Sequence, residues 1–392
     1  MLQNTSATIL SIKKAFKEIK NFCADSFEGD YREAARDALK QILELRMKNA
    51  VDAYLEHLSA QEIADRRNGS YRRHLLTELG DIQLQVPRTR TFNPIRILQR
   101  FARRVAHVER MILMAFVLGL STRKVSRALL PVLGESISAS TVSAVVKQLD
   151  AALFAYQSRP LRDQYQVLIL DGVVLKRRTG VGAQKRVVLV ALGIREDGKK
   201  EIIDFRQAAS ESQSAWEGFL NSLYHRGLSG SQLKVILTDG GSGLRAALAL
   251  VYGSIPIQRC WAHKTRNVLN RVKRAVKKDL HRISHAKNAL CAQQAAKQFS
   301  VKWQQRYPEA VLCLRSDLPQ LLTFFRCDLP LRAEELRTTN AIERRFREVR
   351  RRTRPMGTFC DAASIDRILF AVFTYENHQQ EVSTPFLLTQ NS

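Results

Sequence analysis

The sequence predicts an α/β fold: a mixed five-stranded sheet with helices, interrupted by an α-helical insertion and preceded by a mainly helical N-terminal region. Three observations predict it. Short apolar runs of strand type alternate with helical periodicity from residue 165 to residue 260. A long basic stretch, 264 to about 334, carries only helical patterning. Before residue 65, apolar residues recur at three- and four-residue spacing, as in 34–45 and 51–58.

The elements follow in order. Residues 1 to about 65 read as helical, and 66–73 (RRNGSYRR) as a basic turn. HLLTEL (74–79) and IQLQV (82–86) flank Gly80-Asp81 and alternate in polarity, which predicts a β-hairpin. Its exit, PRTR (87–90), reads as a phosphate contact or as a solvated basic loop. Three short helices are expected next: 108–118, then 122–130 with Ser121 as cap, then 141–153 capped by Ser138 or Ser140, with 131–138 as the connection. That helix-turn-helix-like spacing would offer Arg123, Lys124, Arg127, Ser140, Thr141 and Lys147 to a duplex; a plain helical bundle is the alternative.

Residues 165–170 form a buried-type strand, 185–193 and 200–206 a hairpin turning at EDGK (196–199), and 214–226 a helix. A strand at 233–237, a helix at 242–252 and a short strand at 255–260 complete the sheet. Three strands in meander, then helix, strand, helix, strand, is the RNase H-like order. The last helix starts near Asn340. The expected domains are 1–104 (helices and basic hairpin), 105–160 (helix-turn-helix-like DNA-binding region), 161–263 with 336–392 (RNase H-like catalytic domain) and 264–335 (helical insertion).

Charge narrows the partner. Lys and Arg number 63 against 37 acids in 392 residues, a net charge of +26. Phosphate neutralisation is the commonest use of such an excess, so a nucleic acid is expected and an anionic membrane surface is the rival. No basic amphipathic anchor, signal peptide or run of apolar residues long enough to span a bilayer stands out, so a cytoplasmic location is the expectation. Six cysteines (23, 260, 291, 313, 327, 360) lie scattered without a CxxC pair, which fits free thiols.

Against this basic background, three acids stand out. Asp171 in QVLILDG (166–172) and Asp239 in LKVILTDG (233–240) each follow an apolar strand and precede Gly. Taken singly, each is an ordinary turn. In the strand order above, the two would lie side by side. Glu343 in TTNAIERR (338–345) lies one turn into a helix; a capping box from Asn340, an i,i+4 pair with Arg347, and Glu348 as rival acid are its competing explanations. Three gathered carboxylates suit Mg²⁺ (or Mn²⁺), two ions per site, activating the attacking oxygen and stabilising the leaving one in phosphodiester displacement. Cys260 and His263 form a CxxH pair that reads as half a zinc site with His281 and His285, or as support for the second aspartate. Arg344, Arg347, Arg350, Arg351 and Arg352 trail Glu343 and would clamp phosphates; Trp303 reads as a buried anchor or as a stacking partner for an unpaired base.

These segments resemble a family. LDGV (170–173), RGL (226–228), TDGGSGLRAA (238–247), QRCWAHKTRNV (258–268) and RTTNAIERRFREVRRRTRPMG (337–357) are similar to the Mutator-type transposases of bacterial insertion sequences, and RNG (67–69), VPR (86–88) and GLSTRKV (119–125) extend the likeness upstream. Gly241 stands where relatives often carry a larger residue. The resemblance implies a DDE transposase with Asp171, Asp239 and Glu343 as its metal-binding triad and Cys260 and His263 in the motif beside it. It further implies binding of terminal inverted repeats, strand cleavage, joining of 3′-hydroxyls to target DNA, and a homodimer holding two element ends. Two other readings of the residues stay open: a nuclease or resolvase that cuts without joining, and a regulatory DNA-binding protein with no chemistry.

Overall fold

The computed structural model describes residues 27–95, 104–134, 136–179, 182–272, 276–329 and 333–381. The expectations for residues 1–26 lie outside them. The chain divides into two compact units, 1–116 with 120–146, and 117–119 with 147–392.

In the first unit a 34-residue helix, α1 (Phe27–Ala60), packs on an antiparallel hairpin of β1 (Arg67–Thr77) and β2 (Gly80–Thr89). The apolar alternation of β2 buries Ile82, Leu84 and Val86 against Met47 of α1 and Leu75 of β1. Thr77 closes the turn: its hydroxyl donates to the Gly80 carbonyl at 2.8 Å and accepts from the Leu79 amide. The basic segment 67–73, expected as a turn, is instead the first half of β1, because its backbone completes the ladder with 85–89.

Helices α2 (Ala106–Val117), α3 (Thr122–Leu133) and α4 (Ala139–Val146) follow. Pro131 lies inside α3 rather than in the connection; the helix runs on to Gly134, whose left-handed φ of 70° caps it. Ser121 precedes α3 without bonding through its side chain, whereas the Ser138 hydroxyl accepts the Thr141 amide at 3.1 Å. The helix expected over 141–153 is two helices, broken at Lys147 and Gln148, with α5 (Leu149–Ser158) beginning the second unit's helices.

The second unit is built on a mixed five-stranded sheet of order β5-β4-β3-β6-β7. Strands β3 (Tyr165–Thr179), β4 (Gly182–Arg195) and β5 (Lys200–Ala208) form an antiparallel meander; β6 (Val235–Thr238) and β7 (Ile257–Arg259) continue parallel to β3. Both faces are covered, which explains the unbroken apolar runs of β3 and β4. On one face Leu168, Leu170, Leu189 and Ile236 pack with Trp216, Phe219 and Leu223 of α6 (Gln213–His225) and Leu244 and Leu248 of α7 (Ser242–Val251). On the other, Phe205 meets Phe373 of α14 (Ala362–Glu381) and Tyr156 of α5. α14 was not expected; it docks on the outer strand, where Asn377 both accepts from the Ile202 amide and donates to its carbonyl.

Strand β3 does not end at Asp171, as the sequence suggested, but continues to Thr179 paired with β4. Only its parallel partner β6 stops there. The basic segment after β7 is helical: α8 (Trp261–Leu269), α9 (Lys277–Ser284), α10 (Ala289–Trp303), α11 (Pro308–Leu321) and α12 (Ala333–Arg337), before α13 (Asn340–Thr353). Among the described residues no helix is long and apolar enough to cross a membrane, and Cys260, Cys291, Cys313, Cys327 and Cys360 are free thiols.

Gly193, near the end of β4, lies under the Tyr165 ring, which occupies the space a Cβ would need. Gly193→Ala is expected to lower unfolding free energy by about 1–3 kcal/mol through overpacking, read in a denaturant titration. Unchanged stability would show that the ring moves freely.

Candidate active site

The register of the sheet sets the site. Parallel pairing of β3 with β6 ends at Leu170 opposite Thr238, so the next residues, Asp171 still within β3 and Asp239 just past β6, stand as neighbours. Behind Asp239 the backbone turns sharply. The Gly240 amide donates to Thr238 Oγ1 at 3.1 Å and the Gly241 amide to Asp239 Oδ1 at 2.9 Å, and α7 begins at Ser242. Gly240 has a φ of +88°, open to glycine at little cost. Asp171 Oδ1 accepts the Gly172 amide at 2.8 Å.

Glu343 arrives on the first turn of α13. Thr339 precedes that helix but does not cap it through its side chain. Its amide and hydroxyl donate instead to Cys260 Sγ, at 3.3 and 3.4 Å. A capping box is therefore not what occupies Glu343, whose Oε1 lies 3.5 Å from His263 Nε2. The rival acid Glu348 is engaged on its own helix by Arg351 and Arg352. Cys260 and His263 thus join two parts of the site: the thiol fixes the start of the Glu343 helix and the imidazole faces the carboxylate it carries.

Electrostatics follow from this crowding. Burial pushes the Asp171 carboxyl up to about 7; the charges of Asp239 and Glu343 push the same way, and the Gly172 amide and His263 oppose them. His263 is raised to about 9, mainly by its interaction with Cys260 and against the cost of burial. Burial alone would raise the Cys260 thiol, yet His263 and Thr339 bring it below its ordinary value. Sequence reasoning missed a fourth acid here. Glu211, between β5 and α6, lays its carboxylate over Gly172, where a side chain would collide with it. Burial raises its pKa, and the Asp239 charge adds to the effect. Its position in a polar loop (ASESQS, 209–214) gave no periodic signal.

Among the described residues no three His, Cys, Asp or Glu side chains already converge as a metal-holding group; the acids approach in pairs. Their chemistry nevertheless suits a hard divalent cation. Asp171, Asp239 and Glu343 supply only oxygen donors, and no Lys or Arg ion pair to any of them is found among the described residues. His281 and His285 stack on each other at 3.6 Å, and the Cys260 thiol is taken up by Thr339.

The expected DNA contacts separate by exposure. Arg344, Arg347, Arg350 and Arg351 are exposed on α13, and Arg123, Lys124 and Arg127 are exposed on α3; Lys147 is exposed in the break before α5. Arg352 is buried, pairs with Glu348 and lies over the Tyr375 ring. Trp303 is 9 % exposed and its indole N–H donates to Asp279 at 2.8 Å, so it anchors α10 to α9 in this conformation.

A family profile described as "Transposase, Mutator family" matches residues 6–382. The chain is 32 % identical over 379 residues to the transposase for insertion sequence element ISRM5 of Rhizobium meliloti (strain 1021), covering 93 % of this chain and 92 % of the relative. It is 29 % identical over 373 residues to the transposase for IS905 of Lactococcus lactis subsp. lactis (strain IL1403), covering 93 % of each. The transposase for IS256 in transposon Tn4001 of Staphylococcus aureus is 29 % identical over 376 residues, 91 % of this chain and 92 % of its own. A chain in the cryo-EM structure of a simian T-cell lymphotropic virus intasome with PP2A regulatory subunit B56 gamma overlaps 58 % of this chain and 71 % of its own, at 10 % identity and a TM-score of 0.17, too low to bear on the fold.

The raised Asp171 pKa has a thermodynamic signature in metal-free buffer. The folded carboxyl gives up its proton near 7 and the unfolded one near 3.8, so stability falls as pH rises across that window. Asp171→Asn removes this slope. The variant is expected to exceed wild type above pH 7, by up to a few kcal/mol, and to converge with it near pH 4. His263 adds its own loss between its ordinary value of 6.5 and about 9, and because the Asp171 charge contributes to that rise, the difference between the two proteins reads Asp171 together with its coupling to His263. Equal slopes in chemical denaturation with EDTA present would contradict the burial argument.

Proposed function

The chain belongs to the Mutator family of transposases, and on that premise we propose that it is a DDE transposase of an insertion sequence, binding terminal inverted repeats and catalysing metal-dependent strand cleavage and strand transfer. The observation that carries the reading is the register of β3 and β6, which brings Asp171 and Asp239 side by side where β6 ends, with Glu343 facing His263 nearby. The sheet order, a three-strand meander extended by two parallel strands, supports an RNase H-like catalytic domain. The helical run α8–α12 between β7 and α13 supports a helical insertion in it.

In this reading Asp171, Asp239 and Glu343 hold two Mg²⁺ (or Mn²⁺) ions. When bound, such ions polarise the scissile phosphate and stabilise charge on the entering and leaving oxygens. The protein's own part is placement. β3 and β6 fix the two aspartates on rigid backbone. Cys260 fixes the helix that brings Glu343, and protonated His263 balances the acids. Water is the first nucleophile and a 3′-hydroxyl the second, so no serine or tyrosine nucleophile is required. Exposed Arg344, Arg347, Arg350 and Arg351 hold phosphates beside Glu343, and exposed Arg123, Lys124, Arg127 and Lys147 also bind duplex DNA. A homodimer holds two element ends.

Asp171→Ala, Asp239→Ala and Glu343→Ala are each expected to abolish nicking of a labelled element end in Mg²⁺ while end binding persists. A variant that nicks like wild type drops out of the triad. Joining of precleaved ends to a plasmid separates transposase from nuclease, and binding without nicking by wild type would favour a regulatory protein. Replacing Arg344, Arg347 and Arg350 together with Ala should reduce the magnitude of the slope of log K against log salt by about 2–3, at roughly 0.9 for each phosphate that is no longer neutralised. An unchanged slope would place the DNA elsewhere.

A further inference from the structure

Arg259 closes β7 and is buried, an uncommon place for a guanidinium. Its bonds run in two directions. Toward the sheet end, Nη2 donates to the Gly240 carbonyl at 3.1 Å and, more weakly, to the Asp239 carbonyl at 3.4 Å. The guanidinium lies where a side chain at position 240 would project, so only glycine leaves it room. Toward the helical segment, Nη1 pairs with Asp317 of α11, itself buried, and Asp317 also accepts from buried Lys264 of α8.

Further bonds make the same join rigid. The Leu321 carbonyl at the end of α11 accepts from the Trp261 indole at 2.8 Å and from Gln258 at 3.1 Å. Gln258 Oε1 in turn accepts the Phe324 amide at 2.8 Å. Burying two cations and a carboxylate is costly unless each is well bonded. An ion pair whose only task was to dock α11 would not need a second arm on the aspartate loop.

We propose that Arg259 and Asp317 are positioning residues for Asp239: Asp317 holds the Arg259 guanidinium across the Asp239 and Gly240 carbonyls, so α11 sets the geometry of the loop that carries the second aspartate. The proposal rests on the reading of Asp239 as a metal-binding carboxylate. It gives the helical segment a role in the chemistry, because changing the groups that orient metal ligands typically costs about 10–100-fold in metal affinity or activity.

Two full-length variants test it. Asp317→Asn keeps the shape and removes the charge that orients Arg259. Arg259→Lys keeps a cation for Asp317, but one ammonium cannot also span the loop carbonyls, and it spares the fold if the first variant unfolds. The first readout is hydrogen–deuterium exchange of the 238–246 segment in EDTA, which needs no activity. Exchange at Gly240 and Gly241 is expected to quicken about tenfold in both variants, with distant segments unchanged. The second is nicking at saturating DNA against Mg²⁺ concentration. The half-maximal concentration should rise about tenfold or more, while the rate at saturating Mg²⁺ and the affinity for element ends stay within about threefold of wild type. A general loss of structure would instead quicken exchange in distant segments as well and lower both the rate at saturating Mg²⁺ and the affinity for element ends. Wild-type exchange in the Arg259→Lys variant overturns the proposal whatever the activity shows. If wild type itself never nicks, the functional reading fails, and exchange alone still decides the clamp.

Discussion

The constraint on which the rest of the structure depends is the placing of acidic groups together at the end of a sheet where burial already disfavours charge. Asp171 sits on a strand covered on both faces, and its neighbours Asp239 and Glu343 make its ionisation harder still. A site of this kind cannot be held together by its own charges. The surrounding backbone has to impose it, and the protein does so through paired strands, a glycine turn and a helix start bonded to a buried thiol. His263, which faces Glu343, balances only part of the negative charge, and the nearby Arg259 guanidinium is itself paired with Asp317. What remains is uncompensated negative charge of oxygen donors, a setting that suits a hard divalent cation.

The same logic sorts the arginines that follow Glu343. Helix α13 buries Ile342, Phe346 and Val349 on one face and carries Arg345 and Arg352 on the edge of that face, where each meets a carboxylate, Glu376 and Glu348. The arginines between them point to solvent. A single run of basic residues therefore contains two populations. One fastens α13 through internal pairs, and the other is left as surface charge. Substituting the first population would disturb the position of Glu343, and substituting the second would act on long-range attraction.

The fold was largely legible because sheet strands buried on both faces write themselves as continuous apolar runs, and 167–170, 187–192 and 235–237 do so. Asp171 and Asp239 were legible for the same reason, as the first acids after such runs. The continuation of β3 beyond Asp171 was not, since Lys176, Arg177 and Arg178 hide the ladder that 182–187 provides. Nor was the break at Lys147, where apolar spacing carries on from one helix into the next. Glu211 and Asp317 were invisible for a different reason: each lies far along the chain from the aspartate loop it approaches, and only the closed fold brings them near. Trp303 shows the reverse case, a residue conspicuous by type whose indole is spent on Asp279.

The order of these elements along the chain also has a meaning in time. Asp171 and Asp239 belong to one block of sheet that can pair soon after both have been synthesised. Glu343 follows about a hundred residues later, and α14, which covers the far face of that sheet, later still. At ribosomal speeds of roughly 5–20 residues per second, the first two acids wait on the order of 5–20 seconds for the third. During that interval the nascent protein has a basic surface but an incomplete active centre. In a member of a transposase family such a sequence has a consequence: the three acids come together only as the last large helices settle, after the strands that support them are in place.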